Sequence, residues 1–588
     1  MTKKHFLNIL TFLLFSLAVG QNSLDSSQAM GLINKMGPEG VYVHYNSNLL
    51  FSGEYLHFKL YALNNKQRAL SPYSKIAYVE LLDLEGRRKM IQKVKMIDGV
   101  GQGDFFVPTT FDSGYYTLVA YTNYMRNWDS ETYYSDQLLI INPYTNDQQV
   151  FWDTRTPKDS MSSDSSRQNI GKQAAPKYSD DIVTLSTDKA QYGTREKVEL
   201  SISSKPIGFG TFSISVRQVS SELEYKARAS PAEYMTRFNS LIGQSTVSHK
   251  YMPELRGELI KGRLVADDGT GMPNHKIVFS LPGRDYELKM VPTNEYGDFM
   301  FSLDSENLDT RSVFQVLEPD SEAQSIQISD MPELGLKKSI EFHFYLKKEM
   351  ELAIEERSVH NQIENAYFSS KPDTIQLNRN FAPVYGQNMF EYNLDDYTRF
   401  PTFKETLVEI VDNAWIATDQ KGQRSIFVRD FDATKTDAGY KPLVIVDGIM
   451  LQDHSHLMDF NVNKIKTIRL ARNQYVIAGQ VFQGVFDVET FENEFAESYN
   501  NQYLDWTEIL RPLPIKKHYK QDYAQRDKYN AIPDFRYQLY WNPSVKLDNV
   551  NSEFEFYTSD IIGDFEIVIE GFTEQMRPVK IIKYFKVY

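Results

Sequence analysis

The chain contains no cysteine in 588 residues. That absence excludes disulfides, thiol catalysis, iron–sulfur clusters and thiolate zinc sites. It also excludes a bacterial lipid anchor, which requires a cysteine just after the export signal. Long apolar runs are scarce as well. Past the first twenty residues no segment is apolar enough for a membrane helix, so any membrane contact comes through a partner or a peripheral surface. Basic residues are outnumbered, with 64 Lys and Arg against 78 Asp and Glu and a net charge of −14. Such a chain lacks the positive surface that neutralises phosphates, which argues against nucleic-acid partners. There is no Gly-x-Ser-x-Gly elbow, no His-Glu-x-x-His helix and no phosphate-cradling Walker loop. Chance carboxylate pairs are too numerous for a glycosidase-type acid/base pair to be assigned.

What the chain does have is aromatic side chains, 37 Tyr and 36 Phe, or 13% with Trp. Aromatic residues fit pleated, half-buried surfaces, so the bias favours strands. The length exceeds what one hydrophobic core supports and implies three to five domains. Residues 1–20 read as a cleavable secretory signal: Lys3 and Lys4, the apolar Phe6–Leu17, then Ala18-Val19-Gly20.

Short alternating runs separated by turns fill residues 30–148, the pattern of an antiparallel β-sandwich. Val41–Val43 and Tyr55–Tyr61 read as strands around a Ser52-Gly53-Glu54 turn, and Asp83–Gly86 reads as a hairpin turn. Residues 149–180 are rich in Ser, Asp, Lys and Gln and read as a flexible linker, because so few apolar groups cannot offset the entropy of ordering. A second sandwich is expected over 181–250, a third over 251–345, and a last over 505–588. Gly114-Tyr115-Tyr116, Gly297-Asp298-Phe299 and Gly563-Asp564-Phe565 each set an aromatic two residues after a glycine. The glycine permits a tight turn and the aromatic faces a core. Glu349–Asn365 has helical spacing and is expected to bridge to the unit at 380–495. There, Pro401 and Thr402 start a helix with Leu407, Ile410, Val411 and Ala414 on one face.

Three family resemblances rest on these segments. VYVHYNSNLLFSGEYLHFKLYA resembles the opening of a macroglobulin domain, and Leu185–Ile202 resembles it more loosely. LRGELIKGRLV, GMPNHKIVFSLPG and LKMVPTNEYGDFMFSL resemble the carboxypeptidase regulatory-like domain, which in that family is a rigid spacer without catalysis. Lys441–Thr490 resembles the plug of TonB-dependent outer-membrane transporters. A strand there ends in Asp447-Gly448, a strand at Ile465–Leu470 carries Arg469, and a hairpin is punctuated by Gly479 and Gly484. No transmembrane barrel follows it. Together these resemblances imply a mainly β, multi-domain chain: tandem antiparallel sandwiches of macroglobulin or Ig type plus an α+β plug-like domain. The combination is similar to envelope proteins of the Bacteroidetes type.

No residue is assigned a catalytic, cofactor-binding or metal-binding role. The compact ligand-like cluster is Asp453-His454-Ser455-His456 with Asp459. Imidazole and carboxylate suit zinc or another transition ion, whereas the connection after Gly448 is also where solvated polar residues belong. Ser160, Ser162 and Ser163 read as linker. Tyr537, Tyr540 and Trp541 either anchor a strand-addition interface or fill the last sandwich. The resulting expectation is a non-enzymatic exported scaffold, in the periplasm or at the outer membrane, docking on a transporter or barrel assembly. Alternatives are a surface glycan-binding or glycan-processing protein and a macroglobulin-type inhibitor remnant, the last without the thioester that needs cysteine.

Overall fold

The computed structural model describes residue 31, residues 35–151 and residues 182–588. Excepted are 221, 224, 227, 305–306, 308, 318–323, 332, 337–339, 341, 377–385, 387–388, 419–421, 433–438, 500–503 and 525–530. The expected signal at 1–20 and most of the expected linker lie outside the described residues. The fold is mainly β and multi-domain, and the chain divides into two compact units. Unit 1 comprises residues up to Leu255, Glu333–Ile375 and Ile515–Tyr588; unit 2 comprises Arg256–Pro332 and Gln376–Pro514. Among the described residues no helix is long and apolar enough to cross a membrane.

In unit 1 the first sandwich pairs Tyr55–Asn64 with both Glu39–Tyr45 and Val100–Phe106. Its facing sheet runs Leu49–Phe51, Tyr134–Ile141, Gly114–Thr122, Ile76–Leu82, Arg88–Lys95. The turn at Gly53 (φ 93°) and the hairpin at Gly86 (φ 81°) use the left-handed backbone that glycine adopts without strain. Glu39–Tyr45 is buried at all seven positions, so both of its faces are covered rather than one.

The covering layer is the second sandwich, and here the expected domain order fails. Gly210–Val219 pairs with Gln538–Leu547 on one side and Gly563–Thr573 on the other. Lys197–Ser204 pairs with Asn551–Tyr557. The core mixes Leu200, Phe212 and Ile214 with Leu539, Phe556 and Ile567. The segments 181–250 and 505–588, expected as two sandwiches, are therefore one, because each supplies too few strands to close a core alone. Gly210 sits where a Cβ would strike the Phe572 carbonyl, so the crossing of these two segments requires a glycine.

Three further boundaries move for the same reason. Phe151, inside the expected linker, is fully buried against Tyr115 and Phe344. Phe344, inside the expected third sandwich, thus belongs to unit 1. Asp505–Glu508, expected in the last sandwich, pairs with Arg311–Leu317 of unit 2.

Unit 2 contains a small sandwich and a five-stranded mixed sheet in the region expected to be plug-like. Glu258–Ala266 carries Asp298–Leu303 and Gln324–Ile328, facing Lys276–Leu281 with Glu287–Pro292 and Arg311–Leu317. The five-stranded sheet is ordered Phe390–Asn393, Ile465–Ile477, Gln480–Thr490, Leu443–Val446, Ile449–Leu451. Leu443–Val446 runs parallel to Gln480–Thr490. The helix Phe403–Ile410 starts with a reciprocal cap between Thr402 and Glu405. It ends at Ile410, earlier than expected: Val411 is extended, Asn413 turns at φ 66°, and Ala414 opens a strand. The three glycine–aromatic signatures place Tyr116, Phe299 and Phe565 in cores.

Candidate functional site

The Glu351–Ala366 helix carries Arg357, Asn361 and Asn365 at four-residue spacing, which sets three donors on one face. All three reach the Phe51–Glu54 turn of the first sandwich. Arg357 donates to both Glu54 carboxylate oxygens at 2.7 and 2.8 Å, Asn361 to the Ser52 carbonyl at 2.8 Å, and Asn365 to the Gly53 carbonyl at 3.0 Å. The Arg357 guanidinium also covers the Phe51 ring at 4.6 Å. The helix therefore docks within unit 1 instead of bridging to the plug-like domain. We expect Arg357→Ala to cost about 1–2 kcal/mol, more than an exposed pair, because the pair is bidentate and mostly shielded. Faster hydrogen exchange confined to 351–366 would report it; unchanged exchange there would contradict it.

Docking of this helix closes a cleft of about 220 Å³ between the strands Tyr55–Asn64 and Gln538–Leu547. One side is aromatic. Tyr55 stacks on Phe368 (5.7 Å, 11°), and His57 stacks between Tyr55 (5.8 Å) and Trp541 (5.9 Å). The His518 ring meets His57 edge-on at 4.8 Å. The other side is ionic. Asp534 accepts two hydrogen bonds from Arg536, both 2.6 Å, and one from the Tyr523 hydroxyl at 2.5 Å, with Lys371 at 3.5 Å. Against the upward push of burial, these cations and donors hold the Asp534 carboxyl at about 2.

Beside the rings, Asp104 accepts from the Lys516 ammonium at 2.9 and 3.1 Å. Asp373 lies 3.5 Å from His518 Nδ1 and accepts the Tyr519 N–H at 2.8 Å. Burial opposes ionisation of Asp373, but the His518 ring and the Tyr519 amide keep its carboxyl below the usual range. Burial, reinforced by the nearby His518, pushes the His57 imidazole well below its ordinary value. At neutral pH His57 is a neutral ring with a lone pair available.

The residues singled out from the sequence fare unevenly. Asp453, His454, His456 and Asp459 do not gather as ligands. His454 is buried and its Nδ1 accepts the Ile426 N–H at 3.1 Å, Asp453 accepts the Ser455 N–H at 2.9 Å, and His456 packs on Tyr499. Ser160, Ser162 and Ser163 lie outside the described residues. Tyr537, Tyr540 and Trp541 all line the cleft, and Trp541 is buried. Arg469 is paired with Glu391 at 2.9 Å and with Glu489. Asp447-Gly448 forms a turn with both residues at positive φ (48° and 86°), packed beneath Tyr286 of the small sandwich. Sequence reasoning missed His57, Asp104, Asp373 and His518. They are scattered over more than 450 positions, and no local spacing marks them. The legible signals were the aromatic run at Tyr537, Tyr540 and Trp541 and the helical spacing of Glu349–Asn365.

No family model matches the chain, and no curated protein matches it. Among solved structures it is similar to Salmonella alpha-2-macroglobulin reacted with methylamine, at 8% identity over 93% of this chain and 39% of that one, TM-score 0.22. It is also similar to native E. coli alpha-2-macroglobulin, at 9% identity over 94% and 40%, TM-score 0.23. A third is dimeric latent PorU from Porphyromonas gingivalis, at 10% identity over 50% and 33%, TM-score 0.16. The chain thus spans about two fifths of the length of those macroglobulins. At such scores the fold is read from the chain's own strands.

Proposed function

We propose that this chain is a non-enzymatic, exported scaffold of the cell envelope that docks on an outer-membrane transporter or barrel assembly. The observation that supports this most is how buried charge is used. Glu54 with Arg357 and Glu258 with Arg511 tie together segments 303 and 253 positions apart, whereas Glu570 with Lys580 and Asp534 with Arg536 are satisfied locally, and all four lie within their units rather than converging on a reacting atom. The chain also passes between the units at 255/256, 332/333, 375/376 and 514/515, so the plug-like domain is inserted between segments of the double sandwich. In this reading the sandwiches set distance and the plug-like domain supplies recognition. Affinity purification of the tagged protein from its native envelope tests it. Co-recovery of an outer-membrane barrel protein is expected, and its absence would overturn docking.

A surface glycan-binding role is favoured by one feature, the Tyr55–Phe368 stack at the cleft, since flat aromatic faces suit sugar rings. Protease treatment of intact cells separates the two readings: a surface protein is shaved, a periplasmic one survives.

A further inference from the structure

Among the described residues, one group of His, Asp and Glu side chains brings its ligand atoms together: His57, Asp104 and His518, within 4.8 Å of one another. They come from three separate strands or segments of unit 1, so the arrangement is tertiary. His518 is 5% exposed at its side chain, and His57 Nδ1 and both ring nitrogens of His518 are buried without a hydrogen-bond partner. An orphaned buried nitrogen is costly, and three in one cluster are unusual unless something else satisfies them. The neighbouring Trp541 Nε1–H is likewise unpartnered. It is a donor only and cannot serve as a ligand.

We propose that His57, His518 and Asp104 form a binding site for one divalent transition-metal ion, of which zinc fits the ligand set best. Two imidazoles and a carboxylate are borderline ligands suited to such ions. Asp373, 3.5 Å from His518 Nδ1, is the carboxylate placed to fix the ring's tautomer once that contact shortens, which would leave Nε2 to face the metal. Tetrahedral zinc, with bonds of about 2.0–2.1 Å, sets its ligand atoms roughly 3.4 Å apart, so the three groups close in by about 1 Å on binding. The Lys516 ammonium occupies Asp104 in this structure and is one-quarter exposed, so it swings toward solvent as the ion enters. The ion would clamp the strands Tyr55–Asn64 and Val100–Phe106 to the chain where it re-enters unit 1 at Ile515. The site is structural, and it is independent of the docking proposed above.

The test is calorimetric titration of the chelator-treated full chain with Zn²⁺ alone, with Co²⁺ as a spectroscopic substitute. One ion per chain is expected, with a Co²⁺ visible spectrum of tetrahedral nitrogen–oxygen ligation and a rise in Tm on Zn²⁺ addition. His518→Ala and His57→Ala should each weaken binding at least tenfold and abolish the Tm rise, while His456→Ala leaves both unchanged. Lys516→Ala should tighten binding by removing a competing cation. Circular dichroism confirms that each variant is folded. The wild-type Co²⁺ spectrum reads the ligands without any variant. No saturable one-to-one uptake by the wild type, wild-type affinity in the His57/His518 double variant, or loss of affinity in Lys516→Ala would each overturn the proposal.

Discussion

Glu570→Ala will destabilise unit 1 by about 3–5 kcal/mol, the usual cost of stripping one partner from a buried ion pair. Glu570 is 1% exposed and lies between the two sandwiches. It accepts the Tyr42 hydroxyl at 2.5 Å and pairs with Lys580 at 3.1 Å across the strand pair that it shares with it. Beside it, His44 meets the Ser213 hydroxyl at 2.6 Å and Tyr61 meets the same hydroxyl at 2.9 Å. Removing the carboxylate strips the partly buried Lys580 of this ion pair and takes one of two nearby carboxylates, Glu570 and Glu566, from Arg228. Glu570→Gln keeps the shape and an acceptor for Tyr42 and should cost less. Denaturant unfolding, with hydrogen exchange of Glu39–Tyr45 and Gly563–Thr573, measures both. A loss under about 1 kcal/mol in the alanine variant would show that the pair contributes little.

The same cluster predicts acid sensitivity. Burial drives the His44 imidazole down to about 3, with the Glu570 carboxylate opposing and Arg228 and Lys580 assisting. Burial alone would raise Glu570, but Lys580, His44, Arg228 and the Tyr42 hydroxyl hold it at about 2. In both cases the unfolded chain binds the proton more readily. Stability from His44 is therefore complete above about pH 6.5 and falls toward pH 3, and that from Glu570 falls between about pH 4.5 and 2. Each group contributes a slope of at most about 1.4 kcal/mol per pH unit within its window. His44→Gln should flatten the loss between pH 6.5 and 4.5 specifically.

Asp447→Ala is the second large effect, expected at about 3 kcal/mol in unit 2. The Asp447 carboxylate is buried and accepts the Thr490 N–H at 2.8 Å, the Thr490 hydroxyl at 2.6 Å and the Phe495 N–H at 3.2 Å. Its backbone carbonyl accepts the Gly283 N–H of the small sandwich at 2.9 Å. Alanine leaves three buried donors unsatisfied and sits poorly at φ 48°. Asparagine tolerates that backbone and keeps one acceptor oxygen, so Asp447→Asn should cost about half as much. Thermal unfolding of the two variants checks the order; equal effects would assign the loss to charge alone.

The plug-like motif shows how far sequence reaches. Asp447-Gly448 announces a tight turn wherever it occurs, and Gly479 marks the hairpin that follows. What the sequence could not show is that Gly448 admits Tyr286, so the turn is a joint between two modules. Val278, Leu288 and Met290 pack there on Leu443, Ile445 and Met450, covering a sheet face that alternation alone leaves unpartnered. The helix Glu351–Ala366 is similar: its spacing gave the helix, but its destination depends on carbonyls 300 residues earlier.

By itself the sequence determined the β character, the turns, the glycine-led aromatic strands and the absence of thiol chemistry, because each is fixed by bonds and preferences local to a few residues. Only the tertiary structure decided that residues 183–219 and 538–587 share one core, and that His57, Asp104 and His518 meet. Strand pairing uses backbone groups that every residue carries, so the choice of a distant partner depends on which apolar faces can be buried together. That choice is made by the whole chain at once.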